Sequence, residues 1–312
     1  MTISKLKIKN FKGVNELAEF DIKQITLFIG PNSSGKSSCI HALAALAQTS
    51  KLPSSSRPLV LDDEYAQVHL GRFIEVIHSK SYSDAIEIGF ESTNIKYSFR
   101  GIGKIQKLAS TDIFSANYSF KSTKRTQDIY LNTLTYSSPA STLNFKPNKT
   151  IGTYTIEFNT KTIQATSGYD SALHANLFPK STKSEEDLQV FFYNESCKQI
   201  VSSELSNVLY LGPFRQSPLR RYPTRGSSPT EVGAQGENAI TLLANEFVQT
   251  KRRPHLKEIG GWLDQMGLAK KVDVSRVGKS DLFDVTVTLA DDANLPIADL
   301  GYGMSQVLPV LV

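Results

Sequence analysis

At 312 residues, 40% hydrophobic and 21% charged, the chain has a globular composition and the length of one large α/β domain with an insertion, or of two lobes. No run of about 18 apolar residues occurs, and the first nine residues alternate lysines with apolar side chains, so neither a membrane span nor a secretory signal is expected. The formal net charge of +5 permits polyanion binding without establishing it, and the two cysteines, Cys39 and Cys197, show no metal-ligand spacing and read as free thiols of a reducing, cytoplasmic compartment.

Leu6 and Ile8 alternate with Lys5, Lys7 and Lys9, which predicts a half-exposed strand. Residues 10–13 turn it, and Phe20 and Ile22 begin the return. Residues 24–29 (Gln-Ile-Thr-Leu-Phe-Ile) are apolar and rich in branched side chains, which predicts a buried strand. That strand delivers Gly30, Pro31, Asn32, Ser33, Ser34, Gly35, Lys36 and Ser37, which satisfy G-x-x-x-x-G-K-[ST], the P-loop pattern. Ile40, Leu43, Ala44 and Ala47 then fall at helical spacing. Strand, glycine loop and helix N-terminus form an anion site, because backbone N–H groups and the helix dipole both point at phosphate. In this pattern Lys36 neutralises the β- and γ-phosphates of a nucleoside triphosphate, and the Ser37 hydroxyl ligates Mg²⁺, a hard cation that prefers oxygen. Lys12 can reach the same nucleotide from the preceding turn, or it is a solvated turn lysine.

Residues 50–58 are Ser- and Pro-rich and read as a loop. Residues 73–77, 86–90 and 95–99 each alternate, predicting three strands of an antiparallel sheet beside the P-loop core. From 101 to about 182 the composition shifts to Ser, Thr, Asn, Lys and Tyr, with weak strand signals at 129–136 and 153–158. A stretch this long is not a plain loop. It reads as an inserted β-rich arm whose Lys104, Lys107, Lys121, Lys124, Arg125, Lys146 and Lys149 face either solvent or a polyanion. The expected partition is 1–100 as the first ATPase lobe, 101–205 as the arm and 206–312 as the rest of the lobe.

Ser184, Glu185, Glu186 and Asp187 resemble a capping box, opening a helix with Leu188, Phe191 and Phe192 on one face. Residues 208–211 read as a short buried strand. Behind them come Arg215, Arg220, Arg221 and Arg225 among Gly212, Gly226, Gly233 and Gly236, where ligands bind in open α/β sheets. Ile240, Leu243, Ala244 and Phe247 mark one helix; Ile259, Trp262, Leu263 and Met266 mark another, with Trp262 expected in the core. Phe283, Val285, Val287 and Leu289 alternate as a strand that turns at 291–294. Asp299, Leu300, Gly301, Tyr302, Gly303, Met304, Ser305 and Gln306 then open an apolar helix. Two glycines and a serine at a helix start are a second backbone-donor nest.

A P-loop of the G-P-N-x-S-G-K-S type, followed far downstream by that nest, resembles the ATP-binding-cassette-like ATPases of the SMC, RecF and OLD (overcoming-lysogenization-defect) group, the OLD-like branch above all. Residues 8–13 (Ile-Lys-Asn-Phe-Lys-Gly), 25–38 through Ser38, 211–215, 232–237 and 299–312 carry the resemblance; the arm does not. It implies an α/β head with a mixed sheet, a flanking antiparallel β subdomain and an inserted arm. It implies that Gly30, Asn32, Ser33, Ser34, Gly35, Lys36, Ser37 and Ser38 hold ATP with Mg²⁺. It also implies a homodimer, or a higher even oligomer, in which Gly303 and Ser305 meet the ATP of the other subunit. Gly301 would shape that turn and Gln306 would close the motif, in a register against L-S-G-G-Q left open by a residue or two. Gln67 is the candidate for the glutamine that senses Mg²⁺ in this group.

Such ATPases carry an apolar strand ending in paired carboxylates after the signature helix. Asp62-Asp63, Glu185-Glu186 and Asp291-Asp292 do not end such strands, so no catalytic residue is assigned. The expectation is part of a longer ATPase that binds ATP and hydrolyses it poorly. Double-stranded DNA is the expected target, in phage defence or DNA repair, with a nuclease region or partner protein outside the chain. His41, His69, His78, His174 and His255 are scattered and build no nuclease centre. The competing expectations are a small-molecule kinase, which the N-terminal hairpin and distal glycines disfavour, and a non-catalytic module whose nucleotide only organises assembly.

Overall fold

The structure is a computed structural model that describes residues 3–51, 57–93, 98–101, 104–107, 112–139, 141–148, 154–163, 165–170, 174–179, 185–223 and 229–312. It divides into two units, Met1–Val208 and Leu209–Val312.

The first unit contains β1 (Ile3–Lys9), β2 (Ala18–Asp21), α1 (Lys36–Lys51), α2 (Phe73–Val76), β3 (Ile86–Ser92), β4 (Ser98–Gly101), β5 (Lys104–Lys107), β6 (Phe114–Ser122), β7 (Ile129–Ser137), β8 (Thr142–Pro147), β9 (Tyr154–Phe158), β10 (Lys161–Ile163), β11 (Ala165–Asp170), β12 (His174–Pro179) and α3 (Glu185–Ser206). Eight strands form one antiparallel sheet in the order β10-β9-β8-β7-β6-β3-β1-β2. The strand alternation sorts its two faces. Leu6, Ile8, Ile88, Phe90, Tyr118, Phe120 and Tyr136 are buried on the inner face. On the outer face Lys5 and Lys7 meet Glu19, Lys7 also meets Glu91 at 2.7 Å, and Lys9 meets Glu87. Helix α3 closes the inner face: the Tyr193 hydroxyl donates to the Ser141 carbonyl at 2.6 Å, and the Ser92 hydroxyl donates to Glu204 at 3.3 Å. Its buried apolar side chains are Val190, Tyr193, Cys197, Ile200, Val201 and Leu205. Leu188, Phe191 and Phe192 therefore do not form the buried face, and Ser184 of the expected capping box lies outside the described residues.

The second unit contains β13 (Tyr222–Pro223), α4 (Ala239–Gln249), α5 (Pro254–Gln265), β14 (Lys271–Arg276), β15 (Leu282–Thr288), β16 (Asn294–Pro296) and α6 (Tyr302–Leu311). Its small antiparallel sheet packs Val272, Val274, Phe283, Val285 and Val287 against Leu243, Leu256, Ile259, Leu263, Met304 and Leu308 of the helices. Trp262 is about half exposed, so it is not core; Leu263 takes that position.

Several expectations change. Residues 73–77 are a one-turn helix plus Ile77: Phe73, Val76 and Ile77 are buried at i, i+3 and i+4, where alternation would have buried Glu75 in place of Val76, and Arg72 N–H donates to Glu75 Oε2 at 2.8 Å to start the turn. Residues 101–205 do not form an arm separate from 1–100 over the described residues: β6 pairs β3 directly and β7–β10 extend the same sheet. Every strand pair among the described residues is antiparallel, so the mixed sheet is not what these residues build. The two segments expected as core strands, 24–29 and 208–211, have no ladder partner among the described residues. Ile40 points out of α1, whose buried side chains run from Ser38 and Cys39 through Ala42 to Ala44–Thr49. Residues 94–97, 52–56, Lys149, Arg225 and Gly226 lie outside the described residues, as do the side chains of Lys104 and Lys107.

Candidate nucleotide-binding site

The β1–β2 connection and the P-loop support each other. Asn10 and Lys12 adopt left-handed backbone conformations (φ 55° and 47°), which fold the connection tightly around buried Phe11. Gly13 is thereby pressed against Gly35: a Cβ on Gly13 would lie 3.1 Å from Gly35 Cα. The Gly13 N–H donates to Ser38 Oγ at 3.4 Å. Gly35 has φ 90°, a value suited to glycine, and it turns the loop into α1. Ser33, at φ 63°, makes the preceding bend.

Gly30, Pro31, Asn32, Ser33 and Ser34 are exposed, and α1 carries no acidic residue in its first turn. A helix N-terminus without a carboxylate keeps its positive potential for an external anion. The Lys36 ammonium donates to the carbonyls of Gly30 (2.8 Å) and Pro31 (2.6 Å), so the loop's own cation is held over its mouth. Ser37 is exposed at the start of α1; Ser38 is buried, with its hydroxyl taken up by Gly13. Of the two adjacent serines, Ser37 is exposed beside the loop and Ser38 ties the hairpin to the helix.

Lys12 is half-buried beside this loop. Burial, and then the charge of Lys80, hold its ammonium below the usual lysine range. Burial, and then the charge of Lys12, hold His41 on α1 below the usual histidine range. Both groups therefore sit where added positive charge is unwelcome and an anion would be stabilising. Gln67 is partly buried next to Val68, whose N–H and carbonyl are both held by the Gln48 amide (2.9 and 3.2 Å). Gln48 is three turns along α1 from Ser37, roughly 16 Å at 1.5 Å per residue. The Gln48 clamp, which also binds the Val60 carbonyl at 2.8 Å, gave no sequence signal, because its partners are backbone groups far along the chain.

The glycine nest of the second unit is resolved in register. Gly301 precedes α6, and Gly301, Tyr302 and Gly303 are exposed, with no atom within 4 Å of a Cβ on either glycine. Ser305 is buried and donates to the Tyr302 carbonyl at 2.8 Å, while Gln306 is half-buried. The accessible end of the motif is thus 301–303, and the Ser305 hydroxyl is spent inside its own helix. The preceding loop is tied to this end. Arg220 forms a forked ion pair with Asp299, and Ser217 Oγ lies 3.2 Å from the Tyr302 hydroxyl. Arg215 on the same loop has Nε and Nη1 buried without a hydrogen-bond partner among the described residues. Such a group calls for an unseen water or ion.

The residues present fit a Mg²⁺-bound nucleotide: an anion-receptive helix start, a lysine at the loop mouth and an exposed serine hydroxyl. This arrangement defines a P-loop nucleotide-binding protein. The family model described as AAA ATPase domain matches residues 1–312, and the chain belongs to that family. No curated protein matches it. The family carries ATP binding and ATPase activity in general. No described helix is long and apolar enough to cross a membrane.

Proposed function

We propose that the chain is the ATP-binding head of an OLD- or SMC-like ATPase, in which ATP is sandwiched between two subunits and gates a DNA-directed activity located elsewhere. Gly30, Asn32, Ser33, Ser34 and Gly35 would cradle the phosphates and Lys36 would meet the β- and γ-phosphates, with Lys12 adding charge from the hairpin. Ser37 would hold Mg²⁺, and the ion would neutralise phosphate charge. The N-terminus of α6 in a second copy would cap the γ-phosphate through Gly301 and Gly303, with Ser305 and Gln306 supporting that helix start.

One observation carries this reading. The chain holds two exposed, glycine-shaped helix starts, α1 and α6, and only the first carries a lysine and an exposed serine. Two unlike halves of an anion site suit a shared nucleotide.

The test is sedimentation with a non-hydrolysable ATP analogue and Mg²⁺, alongside titration of a fluorescent analogue. The wild-type chain dimerises only with nucleotide. Lys36→Ala loses binding and stays monomeric. Gly303→Glu binds nucleotide normally yet stays monomeric. A wild-type chain that stays monomeric with saturating nucleotide, or a Gly303→Glu chain that dimerises like wild type, overturns the sandwich.

A further inference from the structure

Between α4 and α5 the chain makes a turn that its sequence does not favour. Arg253 is left-handed (φ 47°, ψ 58°), a conformation that side chains other than glycine rarely adopt. It is held there from two sides: its guanidinium lies 3.9 Å above the Phe247 ring, and Nη1 is 3.4 Å from Asp273 Oδ1. The anchored turn leaves Lys251 and Arg252 exposed.

Beside it runs a groove of about 340 Å³ between this turn, the first half of α5 and the start of β14. Lys251, Arg252, Arg253, Lys257, Lys270 and Lys271 line it, against the single carboxylate of Asp273. Asp273 is occupied by Lys271 at 2.8 Å and by Arg253, and Lys270 is occupied by Asp292 at 2.8 Å. Lys251, Arg252 and Lys257 have no ion-pair partner among the described residues. The floor is Gly260 and Gly261. A Cβ on Gly260 would make ordinary contact with Val272 N at 3.8 Å, and one on Gly261 would meet nothing within 4 Å. Packing therefore requires neither glycine, although paired glycines weaken a helix interior. What they leave is bare backbone at the bottom of a cationic groove.

We propose that this groove binds the sugar–phosphate backbone of duplex DNA, an assignment that rests on the DNA-directed reading above. The cations come from three separate elements, the turn at 251–253, α5 and the start of β14, which suits a strand of phosphates more than a single one. No exposed aromatic lines the groove, so it offers no platform for unstacked bases and single strands gain nothing there. Its only apolar lining side chains, Leu256 and Val272, are buried, so it has no pockets for an acidic peptide. Such contacts position a duplex without reading its sequence.

The experiment uses the 1–312 chain, a short fluorescently labelled duplex and anisotropy over a salt series. The chain binds the duplex, and Lys251→Ala/Arg252→Ala/Lys257→Ala weakens binding roughly tenfold or more and makes the log–log salt slope shallower by about 2–3. Binding of a fluorescent ATP analogue and the melting temperature do not change in that variant. Gly261→Asp, which keeps every cation, also weakens the duplex complex. Unchanged duplex binding in the triple variant overturns the groove and leaves the DNA-directed reading standing. A wild-type chain that binds no duplex even at low salt overturns DNA binding by this chain, at the groove and everywhere else on it. Equal affinity for a single strand overturns the duplex assignment.

Discussion

Strand β1, read from alternation, and the segment 24–29, read from an apolar branched run, were both expected as strands, yet they end in opposite states. In β1, Leu6 and Ile8 are buried on the side that α1 covers, and each outward lysine finds a glutamate on a neighbouring strand. In 24–29, Ile25, Leu27 and Ile29 are 80%, 77% and 89% exposed, while Phe28 is half-buried and meets Phe20 edge-on at 5.6 Å. Alternation states which side chains share a face. Burial and hydrogen bonding require a neighbouring strand, and β1 has two. Leaving three large aliphatic side chains in water forgoes about 1.5–3 kcal/mol apiece.

The largest test of this contrast is a pair of truncations. Phe90→Ala, within the paired sheet, costs about 3–5 kcal/mol in urea unfolding, whereas Leu27→Ala changes stability by less than about 0.5 kcal/mol. A loss of several kcal/mol for Leu27→Ala would mean that the segment is covered in solution. Gly13→Ala acts where the two regions meet. Its methyl group would crowd Gly35 Cα at 3.1 Å, so stability falls by about 1–3 kcal/mol and nucleotide affinity falls with it, read by melting and by titration of a fluorescent ATP analogue.

Raising the pH separates the regions further. Burial first of all pushes the Tyr118, Tyr136 and Tyr193 hydroxyls and the Cys197 thiol above their usual ranges, all under the paired sheet. A raised folded-state pKa contributes stability that is complete below the unfolded value and is lost as pH climbs towards the folded one. Stability should therefore decline from about pH 9 upward, where the unfolded thiol and then the unfolded phenols ionise. Tyr118→Phe should flatten that decline; an unchanged slope would assign the alkaline sensitivity elsewhere. The smallest effect is on the outer face. Lys9→Ala breaks the 3.3 Å pair with Glu87 and costs at most about 1 kcal/mol, less at high salt, by urea midpoint.

The legible parts of the chain were those whose reasons are local. The P-loop could be read because glycine at 35, a lysine at 36 and a hydroxyl at 37 answer to backbone dihedral, charge and metal preference within one turn. Helices α4 and α5 and strand β15 were legible from long, clean periodicity. Residues 73–77 misled because five positions barely separate a period of two from one helical turn: Phe73 and Ile77 share a face in both, and only the burial of Val76 in place of Glu75 tells them apart. Ser305 misled because the motif leaves its register open, and only the burial of that hydroxyl shows that 301–303 is the accessible end. The cationic groove was not legible, since Lys251 and Lys271 meet only after α5 has turned the chain back.

By itself, then, the sequence determined an anion-receptive loop, its lysine and serine, and a second glycine-led helix start, because those depend on neighbours a few residues apart. Tertiary structure alone decided that β6–β10 continue the sheet begun by β1 and β3, that Ser38 serves the hairpin while Ser37 stays exposed, and that 24–29 has no ladder partner among the described residues. Each of those outcomes turns on contacts between segments distant in the chain, and an alternating pattern specifies a face without naming its partner.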